Sequence, residues 1–440
     1  MRIAILGGGV AGVVLAKELA DSDAFTIDLY EQNDALGGLH RSVEIDGAHY
    51  DIGAFLFDRE HALLQTFPFL YDHFVPIEHR SLVLTQRKTL DIYPMSMRGY
   101  LRDHSAASLA ADAVSLLAAK LVDRRRDSLR SFVHYYLGPR IYRRSGLKAY
   151  IERFYAVPDS EVDLEFAMQR LDALPEACGL RRNVGRIARE AFDASTMEKT
   201  WGCYVRPPGG FPFAYKLIEE SLTKQGVDIR FNAAIERIEK DGERFVLKMR
   251  EGADESYDLV VSTIPVGIMM RLIGRPMERP PQAIQLISLC YRFRGDLGFS
   301  NATMLYNFTY DALWKRLSLF SPIYGTVDGD DYFVVECTRR LDDPNGEEEM
   351  RRSFEDHVAT LPVLNGSLDY RRALVTNNAY PYFRKEDLAG TENAKGILAE
   401  FGIAVTGRQG GFRYMTAHKT ALAARELAQR LTAAEDGALA

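Results

Sequence analysis

The chain has 440 residues, is 47% hydrophobic and 26% charged, and carries a formal net charge of −6. That is enough chain for two globular domains, and the acidic balance excludes a general nucleic-acid-binding role. Cys178, Cys203, Cys290 and Cys337 are scattered with no C-x-x-C pair, which argues against a zinc site or a disulfide framework and for a reducing, cytoplasmic setting.

In chain order, residues 1–12, MRIAILGGGVAG, predict a short buried strand that runs into a glycine turn and then a helix, VVLAKELA. Gly7, Gly9 and Gly12 stand at G-x-G-x-x-G spacing. Gly7 permits the tight turn, Gly9 lets backbone N–H groups approach a pyrophosphate, and Gly12 lets the helix pack closely on the strand. The positive end of the helix dipole then faces the phosphates. Glu31 closes the next apolar run, TIDLYE, where a carboxylate can accept both ribose hydroxyls. An acid at this position favours NAD or the ADP half of FAD over NADP. Because the motif starts so early, no cleaved signal peptide is expected.

After Glu31 come QNDALGGLHRS and YDIGAFLFD, which place Gly37-Gly38, Arg41 and Gly53 one loop further on. On these residues the chain resembles the flavoprotein superfamily of amine oxidases, protoporphyrinogen oxidases and UDP-galactopyranose mutases. In that superfamily the second loop follows the FAD pyrophosphate towards the isoalloxazine. The resemblance implies FAD as the cofactor, with Gly38, Arg41 and Gly53 beside it.

Residues 76–200 read as mainly helical, with an extended piece at SLVLTQRKTLDIYP. The apolar stretch 105–122 is interrupted by Asp112 and Lys120. It is too short and polar to span a bilayer and reads as an amphipathic helix of a second domain, with a monotopic membrane contact as the lesser alternative. The basic residues Arg124, Arg125, Arg126, Arg140, Arg143, Arg144 and Lys148 read as a solvated helix face. Beyond the break at PPGG, AYKLIEESLTKQG predicts a helix that stops at Gly226. Asp241-Gly242 predicts a hairpin, and YDLVVSTIP a buried strand. Residues 280–375 alternate strands such as IQLISLCYRF and DYFVVECT with one helix, GEEEMRRSFEDHVATL; the end is a strand, a glycine-rich turn and a helix.

The same resemblance implies an α/β fold: an FAD-binding Rossmann-like domain from residues 1–75, 200–280 and 376–440, and a discontinuous mixed α+β substrate domain from 76–199 and 281–375. In TGRQGGFRYMTAH, Gly407 and Gly411 bracket Arg408 before a helix. In the resembling proteins that helix points at the flavin pyrimidine edge, which assigns Gly407, Arg408 and Gly411 to the cofactor. This string is similar to that of the mutases. So are Arg316 in LWKRLSLF, Arg206 in YVRPPGG and Tyr380 in YPY, which the likeness assigns to substrate. Guanidinium groups suit phosphate or carboxylate. One residue departs from the mutase pattern: Phe55 stands where the mutases place a histidine against the flavin.

No G-x-S-x-G, H-E-x-x-H, Walker A or paired-carboxylate motif occurs, so no catalytic side chain is assigned and the chemistry is left to the flavin. The leading expectation is an FAD-dependent oxidoreductase that passes a hydride from a small-molecule substrate to flavin N5. The alternatives are a sugar-nucleotide mutase that uses reduced FAD, and a catalytically silent nucleotide-binding scaffold.

Overall fold

The structure, a computed structural model, describes residues 1–53, 55–123, 128–164, 201–299, 302–381 and 385–438. Arg124–Arg126, Cys178, Tyr382 and the helical reading of residues 165–189 lie outside the described residues.

Arg2–Leu6 is the middle strand of a five-stranded parallel sheet, ordered Ala404–Val405, Leu259–Ser262, Arg2–Leu6, Thr26–Tyr30 and Asp228–Arg230. Ile3, Ala4, Ile5 and Leu6 are all buried, as a strand covered on both faces requires. On one face, Ile3 and Ile5 pack with the helices Val10–Ala20, Gly210–Lys224 and Ala417–Ala438. On the other, Ala4 and Leu6 meet Ile238, Leu247 and Tyr257 of a three-stranded meander, together with Leu398 of the helix Lys385–Phe401. The meander hairpin turns at Gly242, whose φ is +62°, between Asp241 and Arg244. Gly226, at φ +84°, follows the helix Gly210–Lys224.

A seven-stranded sheet forms the second body of the molecule. Its order is Asn365–Pro381, Ala283–Asp296, Asp331–Arg339, Trp314–Leu319, Met304–Asn307, Ser81–Leu84 and Leu90–Ile92. Neighbours are antiparallel except Met304–Asn307 beside Ser81–Leu84. The helix Glu347–Val358 covers one face through Met350 and Phe354. A layer that includes the helices Leu129–Leu137 and Leu147–Tyr155 covers the other. Cys203, Cys290 and Cys337 are free and buried.

The edge of the parallel sheet is tied by one carboxylate. Asp28 is 2% exposed and accepts hydrogen bonds from Arg2 (2.6 Å), Arg230 (3.0 Å) and the Tyr257 hydroxyl (2.5 Å). Three distant segments therefore converge on a buried anion that is tolerated because it is paired. Asp28→Ala is expected to destabilise the fold by about 2–3 kcal/mol, because Arg2, Arg230 and the Tyr257 hydroxyl lose a shared buried acceptor. A lowered urea midpoint checks this.

Candidate active site

The carboxyl end of the parallel sheet opens into a cleft of about 630 Å³ between the two sheets. Its first wall is the amino-terminal turn. Gly7 has φ +105°, and a Cβ there would come within 2.4 Å of Thr263 Oγ1. A Cβ on Gly12 would lie 1.8 Å from the Gly7 carbonyl oxygen, so the helix Val10–Ala20 can start this close to its strand only on glycine. Its cap residue, Gly9, offers no side chain to the first-turn N–H groups, and these stay available to an anion.

The second loop runs directly alongside the first. Gly37 donates its N–H to the Gly8 carbonyl (2.9 Å), and a Cβ on Gly38 would sit 3.0 Å from Gly9 Cα. Glu31 is buried at this junction: one carboxylate oxygen accepts from Gly8 N–H (2.8 Å), the other from Asn33 N–H (3.0 Å) and the Asn33 amide (2.6 Å). Held this way, Oε2, which accepts only one of these bonds, still has acceptor capacity for a ribose hydroxyl. Arg41 stands exposed on the cleft lining. Phe55 also lines it, edge-on to His40 at 4.9 Å.

The third loop closes the cleft from the carboxyl-terminal side. A Cβ on Gly407 would meet Ala11 Cβ at 2.8 Å, so this turn rests on the first helix of the chain. Arg408 donates to the carbonyl of Met415 (2.8 Å) and that of Ala379 (3.4 Å), with its guanidinium 5.7 Å from the Tyr380 ring and 5.8 Å from that of Tyr414. The two rings stack at 6.2 Å. Thr416 and Ala417, at the start of the long helix Ala417–Ala438, reach the lining. Gly12, Gly53, Gly407 and Gly411 are not among the residues that line the cleft.

Opposite the glycine loops the seven-stranded sheet supplies Met304, Tyr306, Thr376, Tyr380 and Arg316. Arg316 pairs with Glu336 through two bonds of 2.5 and 2.9 Å, and Lys315 approaches the same carboxylate at 3.1 Å. Strict alternation would send Lys315 to the opposite face. A β-bulge between Trp314 and Arg316 supplies the extra residue that brings both cations to Glu336. Burial opposes ionisation of Glu336, but Arg316 and Lys315 outweigh it and hold the carboxyl below its ordinary range. Burial likewise opposes the Arg316 charge, and Glu336 keeps it well above its usual value. Two cations on one anion leave a net charge of +1 beneath the cleft.

Arg206 is elsewhere, which corrects its expected place in the substrate site. It is 1% exposed and bonds Asp51 through Nε at 2.9 and 3.2 Å, with the His49, Pro207 and Pro208 carbonyls on its other nitrogens. Its ring contact is Tyr324, at 4.2 Å. Burial would lower its pKa, but Asp51 outweighs that and holds it charged. Arg206 is the internal tie between the PPGG turn and the hairpin Ser42–Asp51. Arg206→Ala is expected to cost about 3–5 kcal/mol of stability, since Asp51 would be stranded. An unchanged urea midpoint with weaker substrate binding would return Arg206 to the cleft.

Three histidines on the cleft lining act as acceptors or packing groups. His40 shares a hydrogen bond with the Tyr215 hydroxyl (2.9 Å) and stacks on Phe211 at 4.9 Å. His61 accepts the Leu63 N–H (3.2 Å), and His418 accepts the Ala62 N–H (3.1 Å). Burial, then the nearby His61 and Arg408 charges, lowers His40 to about 3; burial, then His418, lowers His61 to about 3. Behind Arg316, burial and that guanidinium lower His79 to about 4. All three titrate near 6.5 when unfolded, so between 6.5 and these values the unfolded chain binds more protons. Stability is therefore complete above 6.5 and falls as the pH drops from there, by about 1.4 kcal/mol per group for each unit. A melting temperature clearly lower at about pH 5 than at about pH 7.5 checks this.

Residues 10–295 match the family model for flavin containing amine oxidoreductases. The chain belongs to that family. Its cofactor is accordingly FAD, and the paired glycine loops, the Glu31 carboxylate and the cleft volume fit one. The structure is similar to a reduced UDP-galactopyranose mutase (TM-score 0.76, 16% identity, 98% of this chain and 94% of that chain). It is also similar to a putative protoporphyrinogen oxidase from Exiguobacterium sp. 255-15 (TM-score 0.74, 15% identity, 98% of each chain). A putrescine oxidase with putrescine bound follows the same fold (TM-score 0.65, 13% identity, 98% and 99%). By sequence, a 4,4'-diaponeurosporene oxygenase from Staphylococcus haemolyticus (strain JCSC1435) is 24% identical over 136 residues, 30% of this chain and 25% of that protein. Within the family, the residues that sequence reasoning missed are Lys315, Glu336, Met304, Tyr306 and Tyr414. Glu336 did carry a signal: an acid in the middle of the apolar run DYFVVECT must find a cation.

Proposed function

We propose that this flavoprotein oxidises a small molecule by hydride transfer to flavin N5, and that the part of the substrate next to Arg316 is anionic. The charge count carries the second half of this reading. Lys315, Glu336 and Arg316 together leave one positive charge beneath the lining, and Arg41 and Arg408 add two more against the acids Glu31 and Asp58. The cofactor's pyrophosphate is met by the amino-terminal loops, and the charge at Arg316 faces the remaining space. A protonated amine placed there would be repelled; a carboxylate or phosphate would be held by a guanidinium that Glu336 already orients.

Bound FAD supplies the hydride acceptor. The protein's share is to position and to exclude water. Tyr306, Tyr380 and Tyr414 wall the substrate side with aromatic surface, and Phe55 presents a ring where a hydrogen-bonding side chain would otherwise stand. His40 is neutral and already bonded, so the lining near Phe55 offers packing rather than proton transfer.

The second reading, a sugar-nucleotide mutase, gains from Arg316 and from the similarity to the mutase fold. Phe55 counts against it, because an aromatic hydrocarbon ring cannot hydrogen-bond to the flavin.

Purified protein is expected to be yellow and to be bleached anaerobically by a substrate that carries an anionic group. Conversion of a UDP-hexopyranose to its furanose by the dithionite-reduced protein, with no substrate bleaching the flavin, would favour the mutase. A colourless, flavin-free protein would remove both. Arg316→Lys keeps the charge but loses the bidentate fork, and is expected to raise KM about tenfold or more with the flavin spectrum unchanged. An unaltered KM would dismiss Arg316 as the anion site.

A further inference from the structure

Thr376 carries a buried hydroxyl that no described residue bonds. It stands on the strand Asn365–Pro381, where Leu374 and Thr376 are buried while Val375 and Asn377 are exposed. That alternation turns Thr376 inward, to the side on which Leu374 packs with Ile52. Thr376 is 4% exposed, and among the described residues its Oγ1 is the one buried, unpartnered side-chain polar atom on the cleft lining. A buried hydroxyl without a bond opposes folding and calls for a partner. Its neighbours on this side are hydrocarbon. Leu286 stands opposite on the adjacent strand. Beyond it, a Cβ on Gly53 would lie 3.9 Å from Leu286 and 3.6 Å from the Phe55 ring. Two residues further along the strand, the third glycine loop takes hold. Gln409 donates to the Asn378 carbonyl (2.7 Å) and Arg408 to that of Ala379 (3.4 Å). The strand of Arg316 is three places across the sheet, roughly 14 Å at the ordinary strand spacing. Thr376 therefore belongs to the cofactor half of the cleft and not to the anion site.

We propose that the Thr376 hydroxyl donates a hydrogen bond to a carbonyl oxygen of the isoalloxazine and thereby raises the reduction potential of the bound flavin. The phosphates and ribose of FAD are met by the amino-terminal loops and Glu31, which leaves the ring system for the opposite wall. The ring carbonyls remain acceptors in both redox states. Reduction adds electrons to the ring and makes these oxygens more negative, so a fixed donor holds the reduced ring more tightly than the oxidised one. Leu286 and Phe55 have no polar side-chain atom with which to compete for the same place. This role requires FAD in the cleft and no particular substrate.

The midpoint potential of the flavin-loaded, full-length protein should be measured anaerobically against a reference dye, for the parent, Thr376→Val and Thr376→Ser. Valine keeps the shape of threonine without the hydroxyl; serine keeps the hydroxyl without the methyl. Thr376→Val is expected to lower the preference for reduced over oxidised flavin about tenfold, a potential lower by about 30 mV for a two-electron couple. Thr376→Ser should keep the parent potential while the lost methyl lowers its melting temperature. A side chain that only packs would give the reverse: a silent valine, a destabilising serine and one potential throughout. The proposal is overturned if Thr376→Val leaves the potential as in the parent or raises it, or if Thr376→Ser lowers it as far as Thr376→Val does. Should Thr376→Val purify without flavin, retention by Thr376→Ser supports the contact, and loss from both overturns it. The dye reads the cofactor alone. Failure to find any substrate that bleaches the flavin, which would undo the hydride-transfer reading, leaves this result standing.

Discussion

The cleft exists because loops from distant parts of the chain approach one another closely through glycine. Gly38 lies against Gly9, Gly407 against Ala11, and Gly7 against the Thr263 side chain. Each contact is closer than a residue with a Cβ could make it. The strands then bring their carboxyl ends, and the helices their amino ends, to the same small volume. The parallel register around Arg2–Leu6 and the buried carboxylate of Asp28 hold these loops in place. Glu31 belongs to the same constraint: it ties the first loop to the second before any ribose reaches it.

The second sheet contributes a different kind of specificity. Where the glycine loops offer N–H groups and open space, the strand Trp314–Leu319 offers formal charge embedded under aromatic rings. A charge in such surroundings is costly unless it is paired, and it acts over a longer distance than one in water. The site thus divides into a half shaped by missing side chains and a half shaped by ionised ones. The family relationship accounts for the first half; the second is where members with the same fold can differ in what they accept.

The nucleotide half was legible in the sequence. G-x-G-x-x-G, the acid at Glu31 and the pair Gly37-Gly38 are local patterns, and each has one geometric reason to exist. The hairpin at Gly242 and the helix that ends before Gly226 were legible for the same reason. Arg206 was assigned to substrate through the likeness of YVRPPGG to the mutases, while its partner Asp51 lies far off in sequence and draws it inside. Lys315 and Glu336 went unread because their meeting depends on a bulge, which leaves no mark in composition. The stretch 105–122 was correctly read as a helix with two faces. Which face points inward was not readable, because that is set by Arg140, Tyr100 and Gly138, contributed by other helices and by the turns between them.

The bulge before Arg316 has an evolutionary corollary. A homologue lacking the extra residue, Lys315, would regain plain alternation, leaving Arg316 and Glu336 as an electrically neutral pair beneath the cleft. At this spot a single insertion or deletion, without any substitution, changes the charge carried beneath the cleft.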